Sequence, residues 1–243
     1  MSLSELEELL VPYEGPNRAY KTFRNEFKYL NALYYLIHSA KNKLLDHLVE
    51  VIAQADRKAA ECHSTDGYAL TIVTHVISRT QFQGVSVSKP DAEAMVRDFD
   101  GFIDLLNRHS IIGAHRAIVN FATDLLIELQ ENSRITVHQS VRRKLQQRRM
   151  RPLELAEQFK RIGEPLHEDP NILIRLRILG EMRNLIEHNS GKATQEYVHL
   201  LGDPNISTGD QIIITGKDVG EAFALVSSTV TSLNKRVVKR FNL

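Results

Sequence analysis

The sequence of 243 residues predicts an all-α protein, a helical bundle that carries one small β-hairpin near its C-terminal end. Glycine and proline are sparse, with 12 and 7 residues, and they lie between the periodic segments rather than inside them. Apolar residues make up 42% of the chain and recur at helical spacing, which indicates helices that bury a core. We therefore expect one helical domain over residues 1–243, whose functional part lies at about residues 165–243.

Long helices are predicted for the first half of the chain. The first should begin after residue 17 and extend, with or without a break, to about residue 60, because its apolar residues keep the helical period. Residues 67–78 are rich in β-branched side chains, so helix and strand compete there, and helix is the prediction. Two separate helices are expected next, over about residues 89–106 and residues 111–131.

A basic segment follows at residues 134–161. It contains nine basic and two acidic residues, a local balance of 9 − 2 = +7, whereas the whole chain has a net charge of only +1. Such a patch can hold RNA phosphates, although a solvated helix face explains it equally well. The basic residues predicted to contact RNA are Arg142, Arg143, Lys144, Arg148 and Arg149, together with Arg177 of the next helix.

The last third of the chain contains the predicted hairpin between two helices. A helix over about residues 171–188 has an apolar face and ends in the sequence Asn-Ser-Gly, which is typical of a C-terminal cap. Residues 211–215 read as a short strand that pairs with residues 197–201, so the hairpin is expected near 197–215. A final amphipathic helix is predicted over residues 219–241.

The most specific chemical signal is the pair Arg183 and His188 at the end of the predicted helix. Histidine can act as a general base or acid near neutral pH, and the guanidinium of arginine suits a phosphate that gathers charge. Helical geometry separates the two by about 140° around the axis and about 7.5 Å along it. We therefore expect them to converge only if a second copy packs nearby. The alternative is an ordinary ion pair between Arg183 and Glu187 on a helix face.

The residue pattern of this segment, Arg-Asn-x-x-x-His-Asn-x-Gly, resembles the motif of the HEPN superfamily. Its signature is an arginine, four to six residues and a histidine, often with a polar residue directly after the arginine. Arg183, Asn184 and His188 match all three positions, and the similarity covers roughly the last 75 residues. The sequence departs from one toxin branch of the superfamily at Ser190. That branch has a tyrosine two residues after the histidine, where this chain has Ser190.

The resemblance implies a helical bundle that forms a homodimer through the motif helix. Many members are metal-independent endoribonucleases of toxin–antitoxin, abortive-infection or phage-defence systems, while others are inactive interaction or nucleotide-binding modules. By this analogy His188 would be the acid or base, Arg183 the oxyanion stabiliser, and Asn184 a residue that orients His188. RNA would be the substrate and an antitoxin or regulatory protein a further partner.

The remaining composition argues against several other classes. Cys62 is the single cysteine, so an intrachain disulfide and a cysteine zinc cluster are excluded. The ten histidines show no metal-ligand spacing, and no glycine-rich phosphate loop is present. No window approaches the roughly 18 apolar residues of a membrane helix. We expect a cytoplasmic protein without metal, cofactor or membrane association.

Overall fold

The computed structural model describes residues 17–62, 69–72, 85–88, 94, 96–148, 150 and 152–242 of the chain. These residues are predominantly helical, which confirms the predicted all-α class. The elements are α1 (Arg18–Cys62), β1 (Ala69–Ile72), β2 (Val85–Ser88), α2 (Phe99–Glu131), α3 (Gln139–Gln146), α4 (Pro152–Arg161), α5 (Pro170–His188), α6 (Gln195–Leu201) and α7 (Gly216–Phe241). None of the described helices has an apolar stretch long enough to cross a bilayer.

The chain forms two compact units. One consists of residues up to Ala32 together with Asn107–Leu243, and it contains all of α3 to α7; the other is Leu33–Leu106. The smaller unit includes the antiparallel pair of β1 and β2. The helix predicted over residues 67–78 is therefore wrong for residues 69–72, which pair with a second strand; two of the four, Thr71 and Ile72, are β-branched and favour a strand.

Aromatic side chains from three helices form the core of the larger unit. The ring centroids of Phe23 and Phe27 in α1 lie 5.0 Å apart. Phe23 is 5.6 Å from Phe121 of α2, and Phe27 is 5.4 Å from Phe223 of α7. All four rings are buried. Large apolar surfaces of this kind supply most of the driving force for packing helices, so these contacts fix the frame that holds the motif helix α5.

The two helices predicted over residues 89–106 and 111–131 are one continuous helix in the described part of the chain, α2. Gly113 lies inside it and does not end it. A Cβ at Gly113 would stand 2.8 Å from Cδ2 of Leu30, so the glycine lets α1 and α2 approach closely. The start predicted at residues 89–93 lies outside the described residues.

The first turn of α1 is capped from a distant helix. The carboxylate of Glu128 in α2 is buried, and it accepts hydrogen bonds from the backbone N–H groups of Arg18 at 3.0 Å and Ala19 at 2.8 Å. Asn17 Oδ1 accepts from the N–H of Tyr20 at 2.9 Å. The N–H groups that a helix start leaves without intrahelical partners are therefore satisfied by one local and one tertiary acceptor.

The loop between α4 and α5 is held by Arg236 of α7. Its guanidinium donates to the carbonyl oxygen of Pro165 at 2.6 Å and to Glu164 Oε2 at 3.3 Å. This side chain is largely buried, so its contacts are shielded from competing water. The loop then leads to Asp169, whose side chain accepts from the N–H of Asn171 at 2.9 Å and caps the start of α5.

Residues 197–215, which the structure describes, do not form the predicted β-hairpin. Thr194 and Gly202 cap the short helix α6 where a strand was expected, and the buried ring of Tyr197 anchors it. Threonine before a helix and glycine after it are ordinary cap residues, and tertiary burial then favours the helix. The segment that includes Gln211 pairs instead with the chain directly after α5, through one isolated bridge to Lys192.

Candidate functional site

The end of the motif helix α5 is fixed by packing and by its cap. Leu185 is buried together with Ala193 and Tyr197, which ties the last turns of α5 to α6. The backbone N–H groups of Asn189 and Gly191 both donate to the carbonyl oxygen of Leu185, at 3.1 and 2.8 Å. Gly191 has a φ of +78°, and a Cβ there would collide with the guanidinium of Arg108. The predicted C-terminal cap is therefore present, and glycine is required at its end.

Two arginines from different helices share the carboxylate of Glu187. Arg183 of α5 pairs with Glu187 Oε2 through Nη2, one turn away on the same helix. Arg116 of α2 donates to Glu187 Oε1 at 2.9 Å from a position 71 residues earlier. The side chain of Glu187 is only 16% exposed, and that of Arg183 is 28% exposed. The ion pair expected from sequence thus exists, as part of a three-residue cluster.

His188 lies at the exposed edge of this cluster. Its side chain is 67% exposed, and Nε2 stands 3.8 Å from Glu187 Oε2. Oε2 of Glu187 therefore lies beside both groups: Arg183 pairs with it and His188 Nε2 is 3.8 Å away, although helical geometry separates the two residues on the helix surface. The helix angles predict that they converge only across a dimer, whereas within one chain they already stand beside the same anionic oxygen.

Asn184 contacts the arginine of the motif. Its Oδ1 accepts from Arg183 Nη1 at 3.1 Å, and its Nδ2 donates to Glu181 Oε1 at 3.1 Å. The bond to Glu181 fixes the Asn184 amide, and the bond to Nη1 then holds the guanidinium, so Asn184 is placed to orient Arg183. The orientation of His188 by Asn184, which the HEPN resemblance implies, stays a prediction.

His115 is the site residue that sequence reasoning left out. It lies beside Gly180 of α5, where an added Cβ would be 3.5 Å from its Nε2. Burial, together with the positive charges of Arg183 and Arg116, lowers the pKa of His115 to about 4, against the opposing effect of Glu187. The imidazole is therefore neutral at pH 7, and it packs against the motif helix without adding charge.

A signal for this face of α2 was present in the sequence. Arg108 and His115 are seven residues apart, which places them within about 20° on a helix, and Arg116 follows directly. No local pattern indicates which helix this face of α2 will contact. The partner of this surface is decided by packing between segments more than 60 residues apart.

The buried position of His115 predicts a pH-dependent loss of stability. Its folded pKa of about 4 lies below the ordinary value of 6.5, so the unfolded chain binds more protons between these values. The free energy of unfolding should fall by roughly 2 to 3 kcal/mol as the pH drops from 6.5 to 4. Denaturant unfolding at pH 8, 6 and 4.5 measures this.

The matched variant is His115→Leu, which keeps an apolar side chain beside Arg183 and Glu187. At pH 8 the imidazole is neutral in the folded and the unfolded state. The difference in free energy of unfolding between wild type and variant at this pH is therefore the effect of the substitution itself. The difference between wild type and variant should then change by roughly 2 kcal/mol towards pH 4.5. A constant difference across this range would contradict the assignment.

The basic residues predicted to contact RNA do not form one free patch in the described part of the chain. Helix α3 buries Leu145 and leaves Arg142 and Arg143 exposed. The other described residues are paired with acids: Lys144 with Glu154, Arg148 with Asp124, and Arg177 with Glu196. Arg149 lies outside the described residues. Exposed pairs of this kind are weak, so their arginines and lysines remain available to phosphates.

A separate cavity lies on the other side of the motif helix. Its volume is about 260 Å³, and Ile178, Leu179 and Met182 of α5 form part of its apolar lining. Arg175 and Glu221, whose charged groups are 3.9 Å apart, stand among its polar residues. Neither Arg183 nor His188 lines it, so this cavity is distinct from the arginine cluster.

Among the residues that the structure describes, no three histidine, cysteine, aspartate or glutamate side chains gather as a metal-ligand set. No family model, curated protein or solved structure matches the chain. The resemblance to the HEPN superfamily therefore stays a prediction that rests on Arg183, Asn184 and His188.

Proposed function

We propose that this protein is a metal-independent endoribonuclease of HEPN type, which acts in a toxin–antitoxin or phage-defence system. The observation that carries the proposal is the convergence of Arg183 and His188 on one oxygen of Glu187. The guanidinium pairs with this oxygen and the exposed imidazole stands 3.8 Å from it, so both groups lie close enough to act on one bound phosphate. An acid or base together with a cation is enough to cleave RNA without a metal.

In the proposed reaction His188 removes the proton from a ribose 2′-hydroxyl. The 2′-oxygen attacks the adjacent phosphorus, and the bond from phosphorus to the 5′-oxygen breaks. The proton ends on that 5′-oxygen, through His188 or solvent, so the products are a 2′,3′-cyclic phosphate and a 5′-hydroxyl. Arg183 stabilises the charge that gathers on the phosphoryl oxygens, and Asn184 holds the guanidinium in place.

The proposed assembly is a homodimer that joins two copies through α5, with RNA bound along it. Two features of α5 are compatible with this: His188 is exposed at its end, and Ile174 is 43% exposed near its start. Arg177, Arg142 and Arg143 lie on exposed surfaces where they can contact RNA phosphates. An antitoxin or regulatory protein would be a further partner.

The proposal is tested by incubating the purified protein with total RNA and tRNA in the presence of EDTA, beside His188→Ala. Cleavage by wild type alone, with 2′,3′-cyclic phosphate ends, is the expected result. The His188 side chain is exposed, so the variant should fold like wild type, which circular dichroism checks. Equal cleavage by the two proteins would eliminate this mechanism.

The second candidate is a non-catalytic module that binds a protein, a nucleotide or RNA. It is favoured by the partial burial of Arg183 and Glu187, which form an ion pair with each other. In that case Arg183→Ala and His188→Ala would change stability or self-association, and no purified form would cleave RNA. Analytical ultracentrifugation of these variants beside the cleavage assay separates the two candidates.

A further inference from the structure

Arg116 belongs to the cluster although it lies on another helix than the motif. Its side chain is 65% exposed, and it reaches Glu187 from the solvent side. Arg183 reaches the same carboxylate from within α5. Two guanidinium groups that face one carboxylate form an arrangement suited to a phosphate, which also offers several oxygens to separate donors.

Glu187 leaves part of the Arg183 guanidinium unused. Nη1 donates to Asn184 and Nη2 pairs with Glu187, but Nε is buried and has no acceptor among the described residues. A buried donor without an acceptor is costly. The two non-bridging oxygens of a phosphodiester match the edge formed by Nε and Nη2, so an RNA phosphate that displaced the carboxylate would satisfy this donor.

The charges of the cluster do not cancel. Arg116 and Arg183 carry two positive charges against one negative charge on Glu187. The neighbouring His115 responds to this balance: both arginines lower its pKa, and Glu187 only partly opposes them. An anion that took the place of Glu187 would therefore enter a positive site rather than a neutral one.

We infer that Arg116 and Arg183 form a phosphodiester-binding site and that Glu187 occupies it as an internal competitor until RNA displaces the carboxylate. The inference builds on the proposed function, since the anion is taken to be a phosphate of the RNA chain. Arg116 is then an RNA-binding residue that the motif does not include. Glu187 restrains the site, because binding must overcome its ion pairs with both arginines.

The test measures anion affinity without cleavage. Inorganic phosphate is titrated at constant ionic strength and followed by NMR, and a short 2′-O-methyl RNA, which has no attacking hydroxyl, is titrated by fluorescence anisotropy. Glu187→Gln should bind both probes about tenfold more tightly than wild type. Arg116→Ala should bind them roughly threefold to tenfold more weakly.

The matched control is Glu131→Gln, which removes the same charge from an exposed pair with Arg18. It lies 15 residues beyond Arg116 on α2, about 22 Å along the helix, and should bind both probes like wild type. Equal gains for Glu187→Gln and Glu131→Gln would reduce the effect to net charge and overturn the inference.

Unchanged or weaker binding by Glu187→Gln would overturn the inference as well. Tighter phosphate without tighter RNA would overturn the assignment to a phosphodiester. Because Arg116→Ala changes an exposed side chain, it tests the site even if Glu187→Gln folds poorly. These results are independent of cleavage, so an inactive protein with the expected affinities would contradict the proposed function alone.

Discussion

Replacing Arg183 with lysine is expected to lower the rate of RNA cleavage roughly 100- to 1000-fold. Lysine keeps the positive charge and can still form an ion pair with Glu187 within α5. It loses the planar fork that contacts Asn184 and Glu187 at the same time. The loss should therefore appear in the transition state, where donors must be placed against the phosphoryl oxygens.

The measurement is single-turnover cleavage of a defined RNA at saturating enzyme, which isolates the chemical step from binding. Arg175→Lys is the matched control, because Arg175 lies on the same helix and forms only a 3.9 Å pair with Glu221. That variant should cleave at the rate of wild type. A cleavage rate within threefold of wild type for Arg183→Lys would show that charge alone suffices and that the fork is not used.

Replacing Glu128 with alanine should have the largest effect on stability, a loss of about 3 kcal/mol in the free energy of unfolding. The change removes the acceptor of two N–H groups at the start of α1, and the one at Ala19 is buried. Buried donors without acceptors lose their bonds to water and gain none in return. Phe23 enters the aromatic core from the next turn of α1, so this loss should propagate to the packing with α2.

Chemical denaturation at pH 7 measures the loss, and Glu131→Ala is its control. Glu131 lies three residues away on α2 and pairs with Arg18 at 2.7 Å, but both side chains are more than half exposed. An exposed pair contributes about 1 kcal/mol or less. Similar losses for the two variants would contradict the tertiary cap. Glu128→Gln, which keeps one acceptor oxygen, should fall between them.

The helices could be predicted where the information is local. The apolar period predicts α1, α5 and α7, and Asp169 with Asn189 marks the two ends of α5. The failures occurred where local signals were balanced. Residues 69–72 became a strand because a partner strand was present, and residues 195–201 became a helix because their caps and the burial of Tyr197 outweighed their strand propensity.

The candidate site divides in the same way. The sequence by itself determined the spacing of Arg183, Glu187 and His188, since positions on one helix follow from its pitch. Only the tertiary structure decided that Arg116 and His115 of α2 complete the cluster around Glu187. The reason is physical: helical period and caps act over a few residues, whereas the meeting of α2 and α5 depends on core packing between segments far apart in the chain.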